Sequence, residues 1–139
     1  MASNPGLKIV AIVIGATVGF WVAAHGIFHR STQQVLENAA TSLNKKLPMM
    51  VDSETRLDNV EAGPDGSKTL IYEYTLPNAT KDNLDVPVLE KLLRPQVIKN
   101  YKTRTEMRSF RDADVHLDYR YKDKNGVLVM DLDISPKDF

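Results

Sequence analysis

Apolar and polar positions divide the chain into one unbroken apolar run and, after it, short stretches of alternation. From Ile9 to Phe28 only Thr17 and His25 interrupt apolar or small residues. About twenty residues at roughly 1.5 Å rise each cover roughly 30 Å, the hydrocarbon thickness of a bilayer. The pattern therefore predicts a cytoplasmic tail over 1–8, a transmembrane helix over 9–29 and a soluble α+β domain over 30–139. Ala11, Gly15, Gly19 and Ala23 recur at four-residue spacing and form a smooth strip on that helix, with Gly15 and Gly19 as a GxxxG pair. Two readings of the strip stand side by side: a helix-packing interface, or the ordinary abundance of glycine and alanine in membrane spans.

A second reading of the whole segment is a signal peptide, with Val22 and Ala24 as the small residues before a cut ahead of His25. Apolar character continuing through Ile27 and Phe28 favours a retained anchor. A short tail before a single span places the N-terminus in the cytoplasm and the domain in the periplasm. That is a single-pass protein of the bacterial inner membrane.

Behind Ser31 and Gln34, which form a capping-box pattern, Val35, Leu36, Ala39, Ala40, Leu43 and Leu47 repeat at helical spacing until Pro48. Strands are expected over Thr55–Ala62 and Lys68–Leu76, joined by the turn residues Gly63-Pro64-Asp65-Gly66 into a hairpin. Asp85 caps a helix carrying Leu89, Leu92, Leu93, Val97 and Tyr101, and Pro95 predicts a kink or break near Arg94. Thr103 and Glu106 make a capping box for a short helix that turns Met107 and Phe110 inward.

The clearest alternation comes last. Val115, Leu117, Tyr119 and Tyr121 alternate with His116, Asp118, Arg120 and Lys122, and beyond Asp123-Lys124-Asn125-Gly126 the residues Leu128, Met130, Leu132 and Ile134 alternate with Val127, Val129, Asp131 and Asp133. A four-residue loop sets Tyr121 opposite Leu128, Tyr119 opposite Met130 and Leu117 opposite Leu132. Two β-hairpins with amphipathic helices on one sheet face give the order α-β-β-α-α-β-β.

Charge changes the picture by exclusion. The chain holds 18 Lys and Arg against 18 Asp and Glu. It thus has no global field to hold nucleic acid by counterion release. The absence of cysteine removes disulfides, thiolate chemistry, thiolate metal sites and a lipobox together.

Candidate chemistry is sparse. His25 and His29 have the four-residue spacing of a metal-binding helix, but no third ligand accompanies them. His116 lies near Asp114 and Asp118, a conceivable His–Asp pair, yet no Ser in a nucleophile-elbow setting and no Cys goes with it. Asp112, Asp114, Asp118, Asp131 and Asp133 could gather a cation, while their alternation also explains them as a solvated face. Asp123-x-Asn125-Gly126 resembles the start of a calcium loop without its later ligands and reads as a hairpin turn. Asn78-Ala79-Thr80 is a glycosylation sequon in form, and otherwise a turn. Tyr72, Tyr74, Tyr119 and Tyr121 alternate with charge as core aromatics do. No cofactor and no metal is expected.

The segments Leu43-Asn44-Lys45-Lys46-Leu47-Pro48-Met49-Met50-Val51-Asp52, Thr55-Arg56-Leu57-Asp58, Gly63-Pro64 and Tyr72-Glu73-Tyr74-Thr75-Leu76 resemble a pattern in small bacterial envelope proteins of unknown function. That resemblance implies an export or anchor segment, a small α+β domain and a periplasmic setting. It assigns no activity, and Arg56 and Asp58 receive no role from it. The expected function is a non-enzymatic accessory or structural subunit of an envelope membrane complex. Its partners are the membrane, other membrane-protein subunits or a second copy, and no nucleic acid. An exported enzyme and a phage-exclusion or immunity-type membrane protein are the alternatives.

Overall fold

The structure, a computed structural model, describes residues 31–139. The expected span, its strip of Ala11, Gly15, Gly19 and Ala23, and the pair His25 and His29 lie outside the described residues.

Ser31 opens helix α1 (Thr32–Asn44), its Oγ accepting the amide of Gln34 at 3.2 Å, and Leu36, Ala39, Ala40 and Leu43 form the buried face. After Pro48 the chain enters strand β1 (Met49–Asp52), then β2 (Thr55–Ala62) and β3 (Thr69–Thr75). Helix α2 (Val86–Thr103) and the short α3 (Arg108–Asp112) precede β4 (His116–Lys122) and β5 (Leu128–Ile134). The strands form one five-stranded sheet in sequence order. Its pairs are antiparallel except β3–β4, which run parallel because α2 crosses over between them.

The expected fold is therefore corrected in two respects. A fifth strand precedes the first hairpin, and the two hairpins fuse through β3–β4 into one mixed sheet. In addition, no helix among the described residues is long and apolar enough to cross a membrane. Helix α2 has 18 residues, but Glu90, Lys91, Arg94, Lys99 and Lys102 occupy its outer positions and it buries only one face.

All three helices cover the same side of the sheet, and alternation decides which strand residues meet them. Leu57 and Val60, Leu70, Leu117, Leu132 and Ile134 form one core with Leu36, Leu89, Leu93, Val97 and Phe110. At its centre Tyr72 and Tyr74 of β3 stack on Tyr119 and Tyr121 of β4, with ring centroids 5.0 Å apart for Tyr72–Tyr119 and 4.8 Å for Tyr74–Tyr121. Parallel register puts each of those pairs side by side. These tyrosines are core residues, as their alternation predicts.

Three local expectations change. Pro95 neither breaks nor divides α2: it faces solvent, so the carbonyl deprived of its amide partner can be hydrated. Thr103 closes α2 instead of capping the next helix, its hydroxyl donating to the Lys99 carbonyl at 2.7 Å. In the last hairpin the observed pairs are Tyr121–Met130, Tyr119–Leu132 and Leu117–Ile134, two residues from the expected register. A bulge at Val129 and the anchored turn at Asp123 take up the difference: Met130, Leu132 and Ile134 keep the core face because their slip is even, whereas Leu128, expected in the core, is turned outward at 46% exposure and Val129 is buried in its place.

Candidate functional site

The side of the sheet opposite the helices gathers several of the polar residues singled out by sequence, His116, Asp118, Asp131 and Asp133 among them. Reading across the strands, Asn59, Glu73, Arg120 and Asp131 make one row, and Ile71, Asp118 and Asp133 the row beside it. Toward the β1–β2 turn lies a third row, Met50, Arg56, Thr75 and Lys122. These positions alternate with the buried core residues of the same strands, so the pattern that builds the core also builds this face.

Ion pairs and hydrogen bonds knit the rows together. Arg120 bonds Asp118 Oδ2 through Nη2 at 3.0 Å and Nε at 3.1 Å, and its Nε lies 3.5 Å from Asp131 Oδ2. Asn59 Nδ2 donates to Glu73 Oε1 at 3.3 Å. Arg56 Nε donates to Asp58 Oδ1 at 2.5 Å, and the Thr75 hydroxyl donates to the other Asp58 oxygen. Asp58 reaches both because β2 bulges there, which shifts the register between Leu57 and Asn59.

His116 lies at the far end of this face with Nδ1 3.6 Å from Asp133 Oδ1. Its carboxylate neighbour is thus Asp133 of β5, while Asp118 belongs to Arg120 and Asp114 sits in the exposed turn before β4 at φ 57°. The five aspartates considered for a cation separate: Asp118, Asp131 and Asp133 share the face, whereas Asp112 closes α3 within 3.9 Å of Arg108. Among the described residues no group of three His, Cys, Asp or Glu side chains is arranged to hold a metal ion.

Asp123 folds the last turn. Its Oδ1 accepts the amides of Asn125 at 2.8 Å and Val127 at 3.0 Å, and its Oδ2 accepts the amide of Lys81 at 2.8 Å. These backbone donors hold the Asp123 carboxyl below its ordinary value. Gly126 completes the turn at φ 82°, a conformation that suits glycine. The calcium-loop likeness is therefore a hairpin turn tied to the residues before α2. Asn78 is an exposed turn residue, its amide donating to Glu54 at 3.2 Å.

Two electrostatic features stand out. Burial, followed by the hydrogen bond and charge of Asp131, pushes Asp118 up to about 7 against the opposing pull of Arg120. Burial likewise raises the tyrosines, and among the described residues the hydroxyls of Tyr72 and Tyr121 have no hydrogen-bond partner. Such raised tyrosines belong to the core and not to a reaction centre. The open face pairs its charges across the strands. Thr69 stands directly opposite His116 across β3 and β4, and its hydroxyl donates to the Ser67 carbonyl at 3.1 Å. The role of Arg120 escaped the sequence reading, because only the strand register brings Glu73 and Asp131 to its two sides.

Comparison with known proteins adds family and fold. The model of a family described as a domain of unknown function (DUF8479) matches residues 30–129. No curated protein matches the sequence. Among solved structures, a candidate secreted protein of Pseudomonas aeruginosa superposes with TM-score 0.62 at 13% identity, over 74% of this chain and 88% of that one. EpsS, the type 2 secretion system pilotin of Vibrio vulnificus, gives 0.59 at 14% identity, over 76% and 89%. AspS, the type II secretion system pilotin of Vibrio cholerae, gives 0.56 at 14%, over 78% and 92%. At these identities the likeness is one of fold.

The expected single-pass placement in the inner membrane is corrected by the same findings. The described helices cover a sheet instead of crossing a bilayer, and the similar folds belong to a candidate secreted protein and to pilotins.

Proposed function

The chain belongs to the DUF8479 family, and from that membership and its fold we propose that it is a non-enzymatic accessory protein of a bacterial secretion or envelope assembly. The observation that carries this reading is the sharing of its helix-covered sheet with two secretion-system pilotins along most of their length. Its partners in this reading are protein subunits of that assembly, and nucleic acid is not among them. The Leu43–Asp52 segment, whose pattern resembles small envelope proteins, runs from the end of α1 into β1 and fits the same setting.

The open face suits binding better than catalysis. Arg56 and Arg120 are held in place by carboxylates while still partly exposed, which fixes a charge pattern before a partner arrives. Deleting the gene and comparing the proteins released to the culture medium tests the role. A defined set of exported proteins is expected to be retained in the cell and released again on complementation with the full chain. An unchanged exported profile contradicts the proposal.

A further inference from the structure

We propose that Asp118 and Asp131 share a single proton across β4 and β5, so that the open face of the sheet gains one negative charge when the proton leaves. Asp118 is only 8% exposed, and its Oδ1 is enclosed without a hydrogen-bond partner among the described residues. Its Oδ2 is committed to Arg120, whose Nε also serves Asp131. One guanidinium therefore answers two carboxylates.

The other groups facing Asp118 do not supply a donor for Oδ1. From β3 come Ile71, directly opposite and apolar, and Glu73, which accepts from Asn59. From β5 come Asp133, directed to His116, and Asp131 itself. On β4 the flanking residues of the same face are His116 and Arg120. The helices lie on the other side of the sheet.

Two carboxylate oxygens attract each other only with a proton between them. With the proton in place, Asp118 Oδ1–H donates to Asp131, and Oδ2 keeps its bonds to Arg120. When the proton passes to water, two negative charges face one guanidinium. The half-exposed Asp131 is then free to turn toward solvent, whereas the enclosed Asp118 is not. The switch changes both the charge of the face and the tie between its two last strands. Its existence does not depend on the secretion role. The strong upward displacement of Asp118 agrees with the geometry.

Carboxyl carbon NMR of the isotopically labelled full chain, titrated across the acid and neutral range, tests the inference. One aspartate signal is expected to titrate near pH 7 and to vanish in Asp118→Asn. In Asp131→Asn the introduced amide can donate to Asp118 Oδ1 without a proton, so the midpoint should fall by at least about one pH unit, a tenfold change in acid strength. A midpoint below about pH 6 in the parent overturns the proposal. So does a neutral signal that survives Asp118→Asn, or one that Asp131→Asn leaves in place.

Discussion

The side-chain amide of Asn44 satisfies both backbone groups of Val60: Nδ2 donates to the Val60 carbonyl at 2.7 Å, and the Val60 amide donates to Oδ1 at 2.9 Å. Strand β1 pairs with β2 only as far as Leu57, so beyond that point the β2 edge has no neighbouring strand among the described residues. The last residue of α1 takes its place. Gln33, at the other end of the helix, donates to the Gly63 carbonyl at 3.1 Å. Helix α1 thus seals the sheet edge with polar side chains while its apolar face enters the core.

Removing the Asn44 amide should therefore unsettle the edge as well as the helix. Asn44→Ala is expected to cost about 1–3 kcal/mol, since two half-buried backbone groups lose their partners. Asn44→Asp keeps an acceptor for the Val60 amide but faces its carbonyl without a donor, and should recover part of the loss. Urea unfolding of both variants measures the difference, and an Asn44→Ala protein as stable as the parent would refute the edge-sealing role.

The core tyrosines should divide by hydroxyl partner. Tyr101 donates to the Val115 carbonyl at 2.6 Å, so Tyr101→Phe should lose about 1–2 kcal/mol. Tyr121 buries a hydroxyl with no partner among the described residues, so Tyr121→Phe keeps the stacked ring and should be neutral or stabilising. Chemical denaturation of the two variants under one buffer separates them; equal losses would contradict the assignment.

Asp118 and Asp123 should shape the pH dependence in opposite directions. Asp118 retains its proton in the fold up to about 7 but releases it near 3.8 when unfolded, so its contribution is fully present below 3.8 and lost as pH rises toward 7. Asp123 is held below 3.8 in the fold, so its contribution is present above 3.8 and lost as pH falls through the folded value. Melting temperatures followed across pH should lose their decline toward neutrality in Asp118→Asn and part of their acid limb in Asp123→Asn. An unchanged profile in either variant contradicts its assigned role.

Much of this architecture is legible where burial repeats at a fixed period. The alternation Leu117, Tyr119, Tyr121 and Met130, Leu132, Ile134 announces both last strands and their core face, and Leu36, Ala40 and Leu43 announce α1. What escapes is set by pairing at a distance. Four-residue β1 carries no alternation of its own and exists through its bonds to β2. The parallel meeting of β3 with β4 depends on how α2 crosses, which no local pattern of β3 or β4 records. Local signatures also lose to context: Thr103 and Glu106 spell a capping box, yet the amphipathic stripe ending at Tyr101 carries α2 through Thr103. At the candidate site, sequence alternation puts Asp118, Arg120, Asp131 and Asp133 on one side of the sheet. Register alone decides that Arg120 joins Asp118 to Asp131 and that His116 meets Asp133.

The accessory role is tested most directly by what travels with the protein. The full chain, tagged and kept at its native level, would be purified in mild detergent and its companions quantified by mass spectrometry. A component of a secretion or envelope assembly in near-stoichiometric amount is the predicted result. Recovery of the chain without any such component would contradict the account.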